Sequence, residues 1–131
     1  MSRTTIEKSR EDYLEAILVL IEKNGACRLT DIAEHLSYSK PSVSVAVKKL
    51  EEQEFIQRDD WRILLTDAGR ELAEKTYKKH KFFTALFESI GIPDETAKEE
   101  ACLMEHIICE DSFAKMLAYW SDDLKAKGYE L

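Results

Sequence analysis

Residues 30–50 read Thr30-Asp31-Ile32-Ala33-Glu34-His35-Leu36-Ser37-Tyr38-Ser39-Lys40-Pro41-Ser42-Val43-Ser44-Val45-Ala46-Val47-Lys48-Lys49-Leu50. Thr30 is a good N-cap, and Ile32, Ala33 and Leu36 fall on one face of a short helix after it. Ser37-Tyr38-Ser39-Lys40 breaks the pattern. Pro41 suits the first turn of a second helix, where a missing N–H leaves nothing unpaired, and Ser39 offers the better capping chemistry. Val43, Val47 and Leu50 form the inward stripe of that helix, while Ser42, Ser44, Val45, Lys48 and Lys49 lie off it. Two helices joined by so short a break are a helix-turn-helix.

The flanks extend the motif. Phe55-Ile56-Gln57-Arg58 and Arg62-Ile63-Leu64-Leu65-Thr66 are two β-like runs around Asp59-Asp60-Trp61, which reads as a hairpin. Upstream, Leu14, Ile17, Leu18 and Ile21 follow helical spacing over 10–22, ended by Asn24-Gly25. Downstream, Thr66-Asp67-Ala68-Gly69 opens a helix that runs to about Ile90. Gly91 and Pro93 punctuate it, Asp94 would cap a helix over 95–109, and Asp111 or Ser112 a last one over 113–125. The fold class is therefore mainly α: a winged helix-turn-helix over 1–66, then a helical domain over 67–131. A plain helical bundle with an incidental hairpin is the alternative.

Composition agrees with a soluble, ordered chain. Of 131 residues 44% are hydrophobic and 34% charged, with 4 Gly and 2 Pro, too few for a turn-rich sandwich or barrel. No apolar run approaches the roughly 18 residues that span a bilayer. Met1-Ser2-Arg3-Thr4-Thr5 lacks the apolar stretch of an export signal, so Cys27, Cys102 and Cys109 are expected to be reduced thiols in a cytoplasm. No Walker loop, G-x-G-x-x-G or H-E-x-x-H occurs.

The net charge of -7 argues against a strong nonspecific nucleic-acid binder, but it is unevenly spread. Residues 1–62 hold 10 Lys+Arg against 12 Asp+Glu, giving -2, and residues 63–131 hold 9 against 14, giving -5. On the second helix of the motif, Ser39, Pro41, Ser42, Ser44 and Val45 are candidates to face bases in a major groove. Arg28, Thr30, Lys40, Lys48, Lys49, Arg58 and Arg62 are candidates for phosphates and their surroundings. Any one lysine is as well explained as a solvated surface residue, and Ser39 by capping alone; the grouping on one motif carries the reading.

A second constellation lies in the other half. Cys102, Glu105, His106 and Cys109 stand at i, i+3, i+4 and i+7, beside an apolar stripe of Ala97, Ala101, Met104 and Ile108. Thiol, carboxylate and imidazole on one edge suit a divalent metal. Asp12 and Glu15 add an acidic pair one turn apart, and His80 lies between Tyr77 and Phe83 on the long helix. Each has a plainer explanation: a core histidine, acids favoured early in a helix, a cysteine acting as a small hydrophobe.

Several stretches together carry a family likeness: Glu11-Asp12-Tyr13-Leu14-Glu15-Ala16-Ile17, Thr30-Asp31-Ile32-Ala33, Ser39-Lys40-Pro41-Ser42-Val43-Ser44, Leu65-Thr66-Asp67-Ala68-Gly69, His80 and Cys102-Leu103-Met104-Glu105-His106. From about Glu11 to about Leu124 the chain resembles the short form of the diphtheria toxin repressor and manganese transport regulator family. The resemblance implies a homodimeric winged-helix repressor that binds a palindromic DNA operator when loaded with manganese or iron, with the second half serving dimerisation and metal binding. It implies Asp12, Glu15, His80, Glu105 and His106 as ligands of the manganese type. Cys102 departs from that branch and matches the iron type, whereas Asp12 and Glu15 do not. Lys98 and Thr84 stand where the iron branch has its ancillary histidine and a nearby glutamate.

The expected cofactor is Fe(II) or Mn(II), with two ions per subunit within the capacity of six ligands, and with Zn(II) able to bind in vitro under the Irving–Williams order. The wing departs too: Asp59-Asp60-Trp61 lacks the glycine usual at its turn, and its two aspartates predict little direct contact of the tip with phosphate. Two other functions fit parts of the sequence. One is a winged-helix regulator answering a small organic ligand or thiol redox at Cys102 and Cys109. The other is a small metalloenzyme, for which no separate general base or substrate loop is visible.

Overall fold

The computed structural model describes residues 5–131 and divides the chain into two compact units, one reaching to Glu74 and one of Lys75–Leu131. The first unit opens with α1 (Thr5–Asn24), followed by α2 (Leu29–Leu36), α3 (Lys40–Glu52), β1 (Ile56–Asp59) and β2 (Arg62–Leu65). α4 (Asp67–Ser89) begins in it and ends in the second unit, which also holds α5 (Asp94–Met104) and α6 (Glu110–Ala126). This is a winged helix-turn-helix followed by a helical unit, as the sequence predicts.

The first unit is built around the stripes read from the sequence. Leu14, Ile17 and Leu18 of α1, Ile32 of α2 and Val43 and Val47 of α3 are fully buried, joined by Ile56 and Ile63 from the two strands. Burying such side chains stabilises by about 1.5–3 kcal/mol each. α3 starts as expected: Ser39 is extended and its hydroxyl accepts the Ser42 N–H at 3.3 Å, with Pro41 in the first turn. α2 does not. Thr30 lies inside the helix, and the N-cap is Arg28, whose N–H donates to the Asp31 carboxylate at 2.9 Å. The acid three residues on has taken the capping work, so α2 starts two residues earlier than Thr30 suggests.

The strands pair antiparallel with Ile56 opposite Leu65 and Asp59 opposite Arg62. The two-residue tip turns because Asp60 adopts a left-handed φ of 58°, the conformation a wing glycine would supply. Ile63 N–H donates to the Cys27 carbonyl at 2.9 Å, which ties the wing to the start of α2. Gly69 matters for a different reason: a Cβ there would overlap the Phe55 carbonyl oxygen, so only glycine lets α4 start this close to the hairpin.

In the second unit Phe82, Phe83, Ala85, Ala101, Phe113 and Leu124 form a core, on which Leu86, Phe87, Met104, Ile108, Leu117 and Trp120 pack. Leu103 and Ile107 are instead more than 60% exposed. Three helix limits differ from the expectation. α5 ends at Met104 rather than 109, and α6 starts at Glu110 with Cys109 as its N-cap rather than Asp111 or Ser112. Asp94 is the first residue of α5 and not its cap, a position held by Pro93.

Candidate metal centre

α4 and the connection from α5 to α6 place three of the predicted ligands together. Glu105 is the C-cap of α5, and it and His106 are 1% and 2% exposed. His80 Nδ1 lies 3.0 Å from Glu105 Oε2, and His106 Nε2 lies 3.4 Å from Glu105 Oε1. His80 Nδ1 is within hydrogen-bonding distance of the Glu105 carboxylate, and the His106 ring sits beside its other oxygen at ion-pair distance. Cys102 Sγ, a Glu105 carboxylate oxygen and a His106 ring nitrogen lie within 4.8 Å of one another. A buried carboxylate, two imidazoles and a half-buried thiol are the donor types that hold a divalent transition ion, so these residues fit one.

Cys109 is not part of this group. The stripe it was read on breaks after Met104, because the chain leaves the helix: His106 N–H donates to Leu103 O and Ile107 N–H to Met104 O in successive tight turns. No glycine or proline marks this end, so the sequence had no local signal for it. Cys109 is exposed, and its thiol lies 3.3 Å from the Ser112 hydroxyl. That bond, with backbone N–H groups of Ser112 and Asp111, holds the thiol below its ordinary pKa.

Asp12 and Glu15 sit one turn apart on α1, both partly buried, and Asp12 Oδ2 accepts from Lys8 Nζ at 3.0 Å. In the reading motif every predicted contact residue is exposed: Arg28, Thr30, Ser39, Lys40, Pro41, Ser42, Ser44, Val45, Lys48 and Lys49. Val45 is 72% exposed, a strong departure for a valine in a helix. The wing carries a feature that was not anticipated. The Arg28 guanidinium stacks 4.2 Å from the Trp61 ring centroid, and Arg62, 5.9 Å from the same ring, pairs with Asp59 at 2.6 Å. An aromatic at a tight polar tip was the available signal.

The family model described as "Iron dependent repressor, metal binding and dimerisation domain" matches residues 66–122, and that of the MarR family matches residues 16–60. The HTH-type transcriptional regulator MntR of Geobacillus kaustophilus (strain HTA426) is 31% identical over 119 residues, which are 88% of this chain and 84% of that protein. The chain belongs to the MntR family of metal-dependent transcriptional repressors. Solved structures agree with this membership. The crystal structure of T. acidophilum IdeR matches with a TM-score of 0.76 and 28% identity over 92% of this chain. The structure of the manganese regulator SloR matches with a TM-score of 0.74 and 30% identity over 86%. This MntR-family chain spans 55% and 53% of those two chains. Its relatives are transcriptional regulators and not enzymes. Among the described residues no helix is long and apolar enough to cross a membrane.

Proposed function

We propose that this chain is a cytoplasmic repressor that binds a palindromic operator as a homodimer when loaded with Fe(II) or Mn(II), and so controls genes of metal-ion homeostasis. The observation that carries the reading is the burial of Glu105 between the rings of His80 and His106, with the Cys102 thiol at its edge. A carboxylate so deeply buried needs compensation by cations or donors, and a divalent ion would supply two positive charges there. We assign Asp12 and Glu15 of α1 as the further ligands, giving Asp12, Glu15, His80, Cys102, Glu105 and His106, enough for one or two ions. In this reading residues 1–66 read DNA and lend Asp12 and Glu15 to the metal, and residues 67–131 supply the other four ligands and pair subunits.

The chain's own residues set the response. Asp12, Glu15 and Glu105, if gathered round one ion, would repel one another without it. An ion held by ligands from both halves would offset that charge and tie α1 to them, and α1 packs on the reading motif. A bound ion can shift the reading heads only through its stronger affinity for the DNA-competent arrangement. On the DNA side Ser39, Pro41, Ser42, Ser44 and Val45 face bases. Arg28, Thr30, Lys40, Lys48 and Lys49 serve the backbone. The tip aspartates stay clear of phosphate, Asp59 being neutralised by Arg62. With mostly short side chains, part of the preference would be read through DNA shape.

The thiolate of Cys102 leans the site toward iron over manganese, since a soft donor suits iron better. The deciding experiment is operator binding titrated anaerobically with Fe(II), Mn(II) and Zn(II), on the natural chain and on Cys102→Glu. The expected results are metal-dependent binding and a shift of preference toward Mn(II) in the variant. Metal-free protein that binds operator as tightly as loaded protein overturns the repressor mechanism, and an unchanged iron-to-manganese ratio overturns the role of the thiolate.

A further inference from the structure

Lys79 and His80 stand side by side on α4, and both grip the same five-residue connection between α5 and α6. His80 reaches Glu105 at one end of it. Lys79 reaches the other: its Nζ donates to the Ile108 carbonyl at 3.0 Å and pairs with Glu110 Oε1 at 2.7 Å. The Lys79 side chain is 3% exposed, and its ammonium lies 6.0 Å from the Phe113 ring centroid. On α4 it follows Thr76 and precedes Phe82 and Phe83, all buried, so it occupies an inward position that a leucine would fill without any charge to bury.

Such a lysine is well placed to hold a connection whose middle residues make only tight-turn hydrogen bonds of their own. The connection carries Glu105 and His106; its ends are held by the Glu105 N–H to the Ala101 carbonyl and the Phe113 N–H to the Cys109 carbonyl, and between them Lys79 secures the Ile108 carbonyl. Glu110, the first residue of α6, cancels the ammonium charge. We propose that Lys79 is a positioning residue of the metal centre. It clamps the 105–109 connection so that Glu105 and His106 face His80 before an ion arrives, and Glu110 keeps its charge from repelling a divalent cation one residue away. The proposal rests on the metal-centre reading given above.

The test uses the full chain with Lys79→Met, Lys79→Arg and Glu110→Gln. Amide hydrogen exchange is followed in metal-free protein, and the affinity for Mn(II) is measured by direct titration. Lys79→Met is expected to raise exchange in 105–109, leave the β1–β2 hairpin protected, and weaken Mn(II) binding by about tenfold or more, the usual cost of losing a group that orients ligands. Lys79→Arg, which keeps the charge and donors, is expected to stay within about threefold of the natural chain on the same scale. Lys79→Met with natural exchange at 105–109, or with natural Mn(II) affinity, overturns the proposal. Should that variant not fold, Glu110→Gln decides: weaker Mn(II) binding supports the clamp and unchanged binding overturns it. A natural chain that binds no Mn(II) overturns the metal-centre reading instead, and the exchange comparison then still decides whether Lys79 holds the connection.

Discussion

The three cysteines show how one residue type takes different chemistry from its surroundings. Cys27 is fully buried, and burial, with the nearby Asp31 carboxylate, pushes its thiol up to about 12. Cys109 is exposed at the N-terminus of α6 and held below its ordinary value by Ser112. Cys102 alone stands among metal donors. Iodoacetamide at pH 7.5 is therefore expected to modify Cys109 readily and Cys27 only on unfolding, which peptide mapping by mass spectrometry checks. Cys27 also has a pH consequence. The unfolded thiol ionises near 9, whereas the folded one stays protonated to about 12. Its contribution to stability is thus complete below 9 and is lost as pH rises toward 12, by about 1.4 kcal/mol per pH unit. Denaturant melts of Cys27→Ala between pH 9 and 11 should show a shallower decline than the natural chain, and equal slopes would refute the assignment. The cysteines' identity was plain in the sequence; their environments were not, because burial is set by residues distant in the chain.

At the scale of elements, the wing lacks glycine and carries acid at its tip, yet it is fastened to the helix-turn-helix twice. Ile63 N–H bonds the Cys27 carbonyl, and Trp61 stacks on Arg28. A stacked guanidinium keeps its edge donors, so Trp61 holds Arg28 with its hydrogen-bonding fork available to phosphate. Trp61→Ala is expected to weaken operator binding about three- to tenfold, the worth of a partly exposed cation–π contact, and Trp61→Phe less. Equal affinities of Trp61→Ala and the natural chain at matched salt would show the stack to be irrelevant to DNA. The hairpin itself was legible from two short β-like runs. Its fastening was not, because Arg28 and Trp61 are far apart in sequence. The same holds for α5: helical spacing carried the expected helix to 109, while the chain turns after Met104, and Lys79 holds the Ile108 carbonyl from another helix. The expected Thr30 cap failed for a local reason that could have been read, since Asp31 is also three residues beyond Arg28.

At the scale of the whole molecule, the acidic balance is concentrated outside the reading motif, and part of it falls on proposed ligands. On the proposed function, loading with metal would therefore reduce the repulsion between protein and DNA. Glu105→Ala with His106→Ala should abolish the response of operator binding to Mn(II) and Fe(II) while the wing and α3 remain folded, judged by mobility shift and circular dichroism. An undiminished metal response in that double variant would move the sensing elsewhere, to a small organic ligand or to thiol redox at Cys102 and Cys109. What the amino-acid order settled by itself was the helix-turn-helix, the wing and the exposed face of α3. Those follow from periodicity, capping and turn chemistry, which act over a few residues. What only the tertiary structure decided was the early end of α5, the exclusion of Cys109, the division of apolar residues into core and exposed Leu103 and Ile107, and the buried grip of Lys79. The grip of Lys79 on Ile108 joins residues far apart in the chain, and burial and charge pairing have no signature in local spacing.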